Sequence, residues 1–270
     1  MKTCLTVKCK TGLLAAFLVT FFASTAFGHN LWLNPKTHFP ETDGSVEIGI
    51  GWGHEFTEDR TDESVRDDLV HKISAIDPDG QEIDLERKSP ERYLLAVDKP
   101  GVYVVSAQTR PGAFTMTPEG RKWGDKTEVD RAIRCVAYRI VAQTVIIAGS
   151  GEAEFSAGSP LPLSIKLLAD PSALEKGGEL PVQLLFEGEP LGNTDLKAKY
   201  AGYEHEEESH GHGHGDYPVE TATDAQGKAR LSLTESGYWI VLVSHRPPYP
   251  DTDVCDEYMY NLAFTFQVKE

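Results

Sequence analysis

Short apolar segments separated by turn-forming residues run through most of this chain, and they constrain its fold more than any other feature. In residues 45–52 every second residue is apolar, which is the period of a strand buried on one face. Residues 71–76 and 81–85 flank an Asp-Pro-Asp-Gly turn, and residues 93–97 and 102–107 flank a Lys-Pro-Gly turn. Both patterns are typical of β-hairpins. Because amphipathic helical segments are few, the sequence predicts an all-β protein.

Two neighbouring stretches are less regular. Residues 111–130 are polar and contain Pro and Gly, which predicts a long loop. Residues 131–142 are compatible with either a helix or a strand, whereas the β-branched residues 144–147 favour a strand.

The glycines around residue 150 predict a boundary between two β-sandwich domains, residues 29–149 and 150–270. The second of these resembles the small Ig-like or transthyretin-like β-sandwich modules of secreted proteins. It carries a Thr-Asp-x-x-Gly turn before a strand and a Gly-x-Trp start to its last core strand, at Gly237 and Trp239. This resemblance implies a scaffold that is compatible with many functions.

Residues 1–28 are typical of a secretory signal peptide, with three lysines ahead of an apolar stretch at residues 13–22. That stretch is shorter than the roughly 20 residues that span a bilayer, so we expect cleavage and export to the periplasm. Small residues allow cleavage after Gly28 or after Ala26.

The choice of cleavage site changes the chemistry of the mature N-terminus. Cleavage after Gly28 leaves His29 first, and a terminal histidine offers both an α-amine and an imidazole to a metal ion. Cleavage after Ala26 leaves Phe27-Gly28-His29, which can surround Cu(II) or Ni(II) with four nitrogens. The alternative is a terminus whose histidine has no function.

The net charge of −16 becomes more negative once the leader and its lysines are removed. Such a surface repels nucleic acid and anionic lipid and attracts cations, although acidic surfaces commonly serve solubility alone. Outside the leader, the sequence contains no apolar run long enough to span a membrane. We therefore expect no nucleic-acid partner and no membrane insertion of the mature chain.

Cys135 and Cys255 are the two cysteines outside the leader. In an oxidising compartment a single distant pair most simply forms a disulfide. A cysteine metal site is the alternative, but neither residue lies in a CxxC motif or beside a histidine.

Residues 203–216 interrupt the second predicted domain with a loop rich in histidines and acidic residues. Imidazoles separated by glycines suit transition-metal capture, whereas a purely solvating loop is the alternative. His54 stands at a predicted strand exit, and His38 either completes a site near the N-terminus or caps a turn. His71 and His245 lie on predicted strands, where histidines are more often core or edge residues. The histidines of the loop are His205, His210, His212 and His214.

The start of the mature chain, His-Asn-Leu-Trp-Leu-Asn-Pro from His29, is followed by Gly-His-Glu-Phe around His54 and by the Asp-Pro-Asp-Gly hairpin. Together these motifs resemble the periplasmic components of nickel and cobalt transport systems, often called NikK-like. The resemblance covers nearly the whole mature chain. It implies that His29 and His54 bind the metal and that an N-terminal domain is joined to an Ig-like one.

These observations predict a periplasmic protein that binds Ni(II) or Co(II), with Cu(II) and Zn(II) as alternatives, and delivers the ion to a membrane importer of the energy-coupling or ABC type. An enzyme alternative is a copper oxidase with a histidine brace, as in lytic polysaccharide monooxygenases. A copper chaperone or metal buffer and an adhesin-like module are further alternatives. The sequence contains no HExxH motif, nucleophile elbow or phosphate loop.

Overall fold

A computed structural model describes residues 29–57, 63–149, 158–203 and 217–269. Within these ranges the chain forms eighteen strands and a single 3-10 helix, Pro171–Ala173, so the all-β prediction is confirmed. In chain order, the strands are β1 Asn30–Pro35, β2 Gly44–Gly53, β3 Val70–Ile76, β4 Glu82–Asp84, β5 Glu86–Ser89, β6 Arg92–Val97, β7 Gly101–Thr109, β8 Gly112–Thr117, β9 Gly120–Trp123, β10 Arg134–Ala148, β11 Leu163–Leu167, β12 Glu179–Phe186, β13 Glu189–Pro190, β14 Asp195–Tyr200, β15 Val219–Ala222, β16 Lys228–Ser232, β17 Gly237–His245 and β18 Glu257–Val268.

The described strands form three sheets. The first has the order β1-β2-β6-β5, and the third contains β11, β12, β13 and β16. The second has ten strands in the order β15-β14-β17-β18-β10-β7-β3-β4, with the β8–β9 hairpin attached to β10. None of the helices in the described ranges is long and apolar enough to cross a membrane.

The ten-stranded sheet lies between two hydrophobic cores, because the side chains of β10 alternate between its faces. Ile146 and Ala148 pack into the core shared with β1, β2 and β6. Val145 and Ile147 pack into the opposite core, which β11, β12 and β16 complete. The result is a sandwich-like arrangement in which one large sheet contributes to both cores.

Strand β1 connects the first sheet to the ten-stranded sheet. Leu31 and Leu33 are fully buried in the core that β1 shares with β2, while Trp32 points the other way and packs near Ile240 of β17. The Thr265 hydroxyl donates a hydrogen bond of 2.6 Å to the Leu33 carbonyl. These contacts fix the strand that carries His29 at its N-terminal end.

Two predictions about irregular stretches are corrected. Residues 111–130 contain the β8–β9 hairpin, because β8 pairs antiparallel with β10 from Met116 opposite Arg134 to Gly112 opposite Tyr138. The helical alternative for residues 131–142 is wrong, since β10 begins at Arg134 and obtains hydrogen-bond partners on both sides. In both stretches, pairing with a strand that is distant in the sequence determines the secondary structure.

Strands from both halves of the chain meet in the ten-stranded sheet. β10 and β18 pair in parallel from Val136 opposite Glu257 to Thr144 opposite Thr265. Beside this pairing, Cys135 and Cys255 form a disulfide, with Cα atoms 4.8 Å apart. The predicted boundary falls mostly in residues 150–157, outside the described residues, so the division into two domains stays a prediction.

Candidate metal site at the start of the first strand

The pairing of β1 with β2 brings His29 and His54 together. Asn30 lies opposite Gly53 in this antiparallel pair, so the residue before β1 and the residue after β2 are neighbours. The ring centroids of His29 and His54 are 4.5 Å apart. Two histidines separated by 24 other residues in the sequence therefore meet at one end of a hairpin.

Glu63 lies in the same cluster as the two histidines. Its backbone N–H donates to the Trp52 carbonyl at 2.9 Å, which ties the returning chain to the end of β2. Its Oε1 lies 2.5 Å from His29 Nε2. One potential ligand atom from each of His29, His54 and Glu63 lies within 4.8 Å of the other two. His29 is half-buried, while His54 and Glu63 are exposed.

Trp52 supports this cluster from one side. Its ring stacks on the His29 imidazole with centroids 5.1 Å apart and planes 9° from parallel. Trp52 is itself packed against the core beneath β2, so it limits rotation of the His29 ring. At Gly53 the backbone φ of 136° lies in a region that side chains rarely adopt, which allows the chain to turn directly before His54.

The segment after His54 is anchored by buried contacts. The Asn34 amide donates to the Thr57 carbonyl at 3.0 Å. Phe56 is buried and meets the Trp32 ring edge-on at a centroid distance of 6.1 Å. His54 thus stands between the end of β2 and a segment fixed to β1, which restricts its backbone.

The donor set is chemically suited to a transition-metal ion. Neutral imidazole binds Ni, Co, Zn and Cu well, and a carboxylate adds an oxygen ligand or a hydrogen-bond acceptor. An overall acidic chain raises the local concentration of cations.

His38 does not belong to this cluster. It is 1% exposed, and its Nδ1–H donates to the Val145 carbonyl of β10 at 2.7 Å. Desolvation lowers the pKa of His38 from 6.5 to about 4, although the hydrogen bond to Val145 acts in the opposite direction. His38 is therefore a neutral core histidine at physiological pH.

The other two described histidines also lie apart from the cluster. His71 is exposed on β3. His245 packs edge-on against Phe186 at 4.7 Å, and burial lowers its pKa. Their positions agree with their interpretation as edge and partly buried strand residues.

The predicted ligands of the histidine-rich loop, His205, His210, His212 and His214, lie outside the described residues. The described residues that flank this stretch are Tyr203 and Tyr217. Burial raises the pKa of Tyr217, and the negative charge of Glu55 contributes to the rise. Glu55 in turn pairs with Lys199 of β14 at 3.5 Å. Lys197 of the same strand lies 5.5 Å from the centre of the Tyr217 ring, so Tyr217 and the residue next to His54 both contact β14.

Sequence reasoning missed Glu63. The only signal for it is a run of acidic residues shortly after His54, which resembles an ordinary solvated turn. Its proximity to His29 depends on the return of the chain to the Trp52 carbonyl, and no local motif encodes that return.

Residues 26–247 match the family model of DUF4198, a domain of unknown function. Among curated proteins, none matches the chain significantly. Similar solved structures include the fibronectin(III)-like modules of Clostridium thermocellum CbhA, with 12% identity over 88% of this chain and 94% of that chain and a TM-score of 0.21. The D0-D1 domain of intimin has 14% identity over 86% of this chain and 96% of that chain, with a TM-score of 0.21. A Salmonella alpha-2-macroglobulin mutant has 12% identity over 89% of this chain but only 15% of that chain, with a TM-score of 0.27.

Proposed function

The chain belongs to the DUF4198 family, and we propose that it binds Ni(II) or Co(II) in the periplasm and delivers the ion to a membrane importer. The observation that supports this proposal is the cluster of His29, His54 and Glu63, whose potential ligand atoms lie within 4.8 Å of one another. The metal is cargo in this proposal. The protein exchanges ligands with it and catalyses no bond cleavage.

His29 contributes most to the proposed site. After cleavage behind Gly28, its α-amine and imidazole chelate the ion from one residue, and His54 adds a further nitrogen. The stacking of Trp52 on the His29 ring reduces the conformational entropy that is lost on binding. The exposure of His54 and Glu63 supports a site that can both load and release an ion.

The histidine-rich stretch has a separate role in this proposal. His205, His210, His212 and His214 capture ions at low concentration and transfer them to the site at His29. Contacts with β14 support such a transfer, because Lys197 lies over the ring of Tyr217, beside the stretch, and Lys199 pairs with Glu55, the residue next to His54. The importer, of the energy-coupling or ABC type, then receives the ion.

Metal titration of matched histidine variants tests the assignment. Protein purified from the periplasm, with its N-terminus verified by mass spectrometry, is titrated with Ni(II) by calorimetry. We expect His29→Ala and His54→Ala to weaken the tightest site at least about tenfold, since each removes a ligand nitrogen. His71→Ala is the control, because His71 is exposed on β3 away from the cluster. Unchanged tight binding in both site variants would refute the assignment.

The pH dependence of metal affinity and the reactivity with copper distinguish the proposed function from the alternatives. Metal affinity should fall below about pH 6, because protonated imidazoles do not bind metal. Copper-dependent, ascorbate-driven oxidation of a polysaccharide would favour the monooxygenase alternative. Failure to bind any divalent ion more tightly than about 10 μM would favour a structural module.

A further inference from the structure

We propose that Glu63 is a positioning residue for the metal site and that it acts by fixing the tautomer of His29. A carboxylate accepts hydrogen bonds and donates none, so the short contact with Glu63 requires the proton of a neutral His29 ring to be on Nε2. The lone pair is then on Nδ1. Nδ1 of His29 is therefore the nitrogen that binds the ion. This inference rests on the proposed function.

The distance between His29 and Glu63 is that of a hydrogen bond and is shorter than the distance between two ligands of one ion. Two ligands at about 2.05 Å from a metal, separated by a right angle, lie about 2.9 Å apart, and tetrahedral ligands lie farther apart. His29 Nε2 and Glu63 Oε1 are 2.5 Å apart. That separation corresponds to a short, charge-assisted hydrogen bond.

The assigned tautomer is also the one that makes His29 a chelating residue. Nδ1 is linked to the backbone nitrogen of the same residue through Cγ, Cβ and Cα, so an ion bound to both nitrogens closes a six-membered ring. Nε2 is one bond farther away on the far side of the ring. A proton on Nδ1 would therefore remove the chelating nitrogen.

The acceptor and the ring it orients are held by the same residue, Trp52. The indole of Trp52 stacks on the His29 ring, while its carbonyl accepts the backbone N–H of Glu63 at 2.9 Å. The end of β2 thus sets both the plane of the imidazole and the position of its hydrogen-bond partner. Hydrogen bonding of a ligand histidine to a carboxylate raises the basicity of the ligand and fixes its orientation.

Variants at Glu63 test this role through two readouts. Ni(II) affinity is measured by competition with a chelator for Glu63→Gln, Glu63→Ala and the control Glu47→Ala. Glu47 is also an ion-paired acidic residue, but it lies on β2 and its partner is Arg92. We expect Glu63→Ala to bind about 10- to 100-fold more weakly, which is the usual effect of losing an outer-sphere partner. Glu63→Gln should recover most of that loss, since its amide oxygen still accepts from Nε2–H, and Glu47→Ala should match the wild type.

Pulsed EPR with Cu(II) as the probe supplies the second readout. The remote nitrogen of a bound imidazole is sensitive to its hydrogen bond, so Glu63→Ala should change the coupling of one remote nitrogen and leave the directly bound atoms unchanged. Loss of a bound oxygen, or equal weakening in Glu63→Gln and Glu63→Ala, would make Glu63 a direct ligand and overturn the inference. Unchanged affinity in Glu63→Ala would also overturn it while leaving the proposed function intact. A wild-type protein that binds no ion tightly would overturn both.

Discussion

Replacing the buried His38 should remove a pH-dependent part of the stability of this protein. Desolvation lowers the pKa of His38 to about 4 in the folded chain, compared with 6.5 when it is exposed. Below pH 6.5 the unfolded chain therefore binds a proton at His38, whereas the folded chain does not bind this proton until about pH 4. The folded state is destabilised as the pH falls through this window, by about 3 kcal/mol in total and by about 2 kcal/mol at pH 5.

Urea unfolding of the wild type and of His38→Gln at pH 7 and pH 5 measures this contribution. The variant should be less stable at pH 7, because it disturbs a buried site and the hydrogen bond to Val145. Its loss of unfolding free energy between the two pH values should be smaller than that of the wild type by about 2 kcal/mol. His71→Gln, at an exposed position, should follow the wild type. Equal pH dependence in the wild type and His38→Gln would refute the interpretation of His38 as a neutral core residue.

Two further predictions concern stability. Replacing both Cys135 and Cys255 by Ala should lower the free energy of unfolding by up to about 5 kcal/mol in the chain-entropy model, because the disulfide spans a sequence separation of 120 residues. Urea unfolding measures this loss, and a loss under about 1 kcal/mol would contradict the prediction. Gly51→Ala should destabilise by about 1–3 kcal/mol, since its Cβ would overlap the buried Trp32 indole, whereas Gly44→Ala, with open space around the new Cβ, should change little. Equal melting temperatures for the two glycine variants would contradict this packing.

The all-β fold was predictable because the period of the apolar residues does not depend on distant partners. Residues 45–52, for example, alternate as a strand buried on one face must, and they lie within β2. The hairpin in residues 111–130 was not predictable in this way. Its strand β9 is exposed along its whole length, so it leaves no apolar period in the sequence, and pairing with β8 alone makes it a strand.

The candidate site was also predictable only in part from the sequence. His29 could be selected because the expected cleavage makes it the first residue of the mature chain, and His54 because it follows a strand-like segment. Their proximity, however, depends on the register that places Asn30 opposite Gly53. A shift of one residue would turn the side chains of β1 to the opposite faces, so Leu31 and Leu33 would leave the core shared with β2 and Trp32 would enter it. Glu63 could not be selected, since an exposed acidic residue carries no signal until its partner is known.

Native mass spectrometry of the protein purified from the periplasm, with substoichiometric Ni(II), tests the central claim most directly. We predict a mass that begins at His29 with one tightly held ion, and we predict that His54→Ala loses this ion while His71→Ala keeps it. A chain that begins at Phe27 would move the site to Phe27-Gly28-His29. A series of weakly held ions, unaffected by replacement of His29 or His54, would contradict the claim.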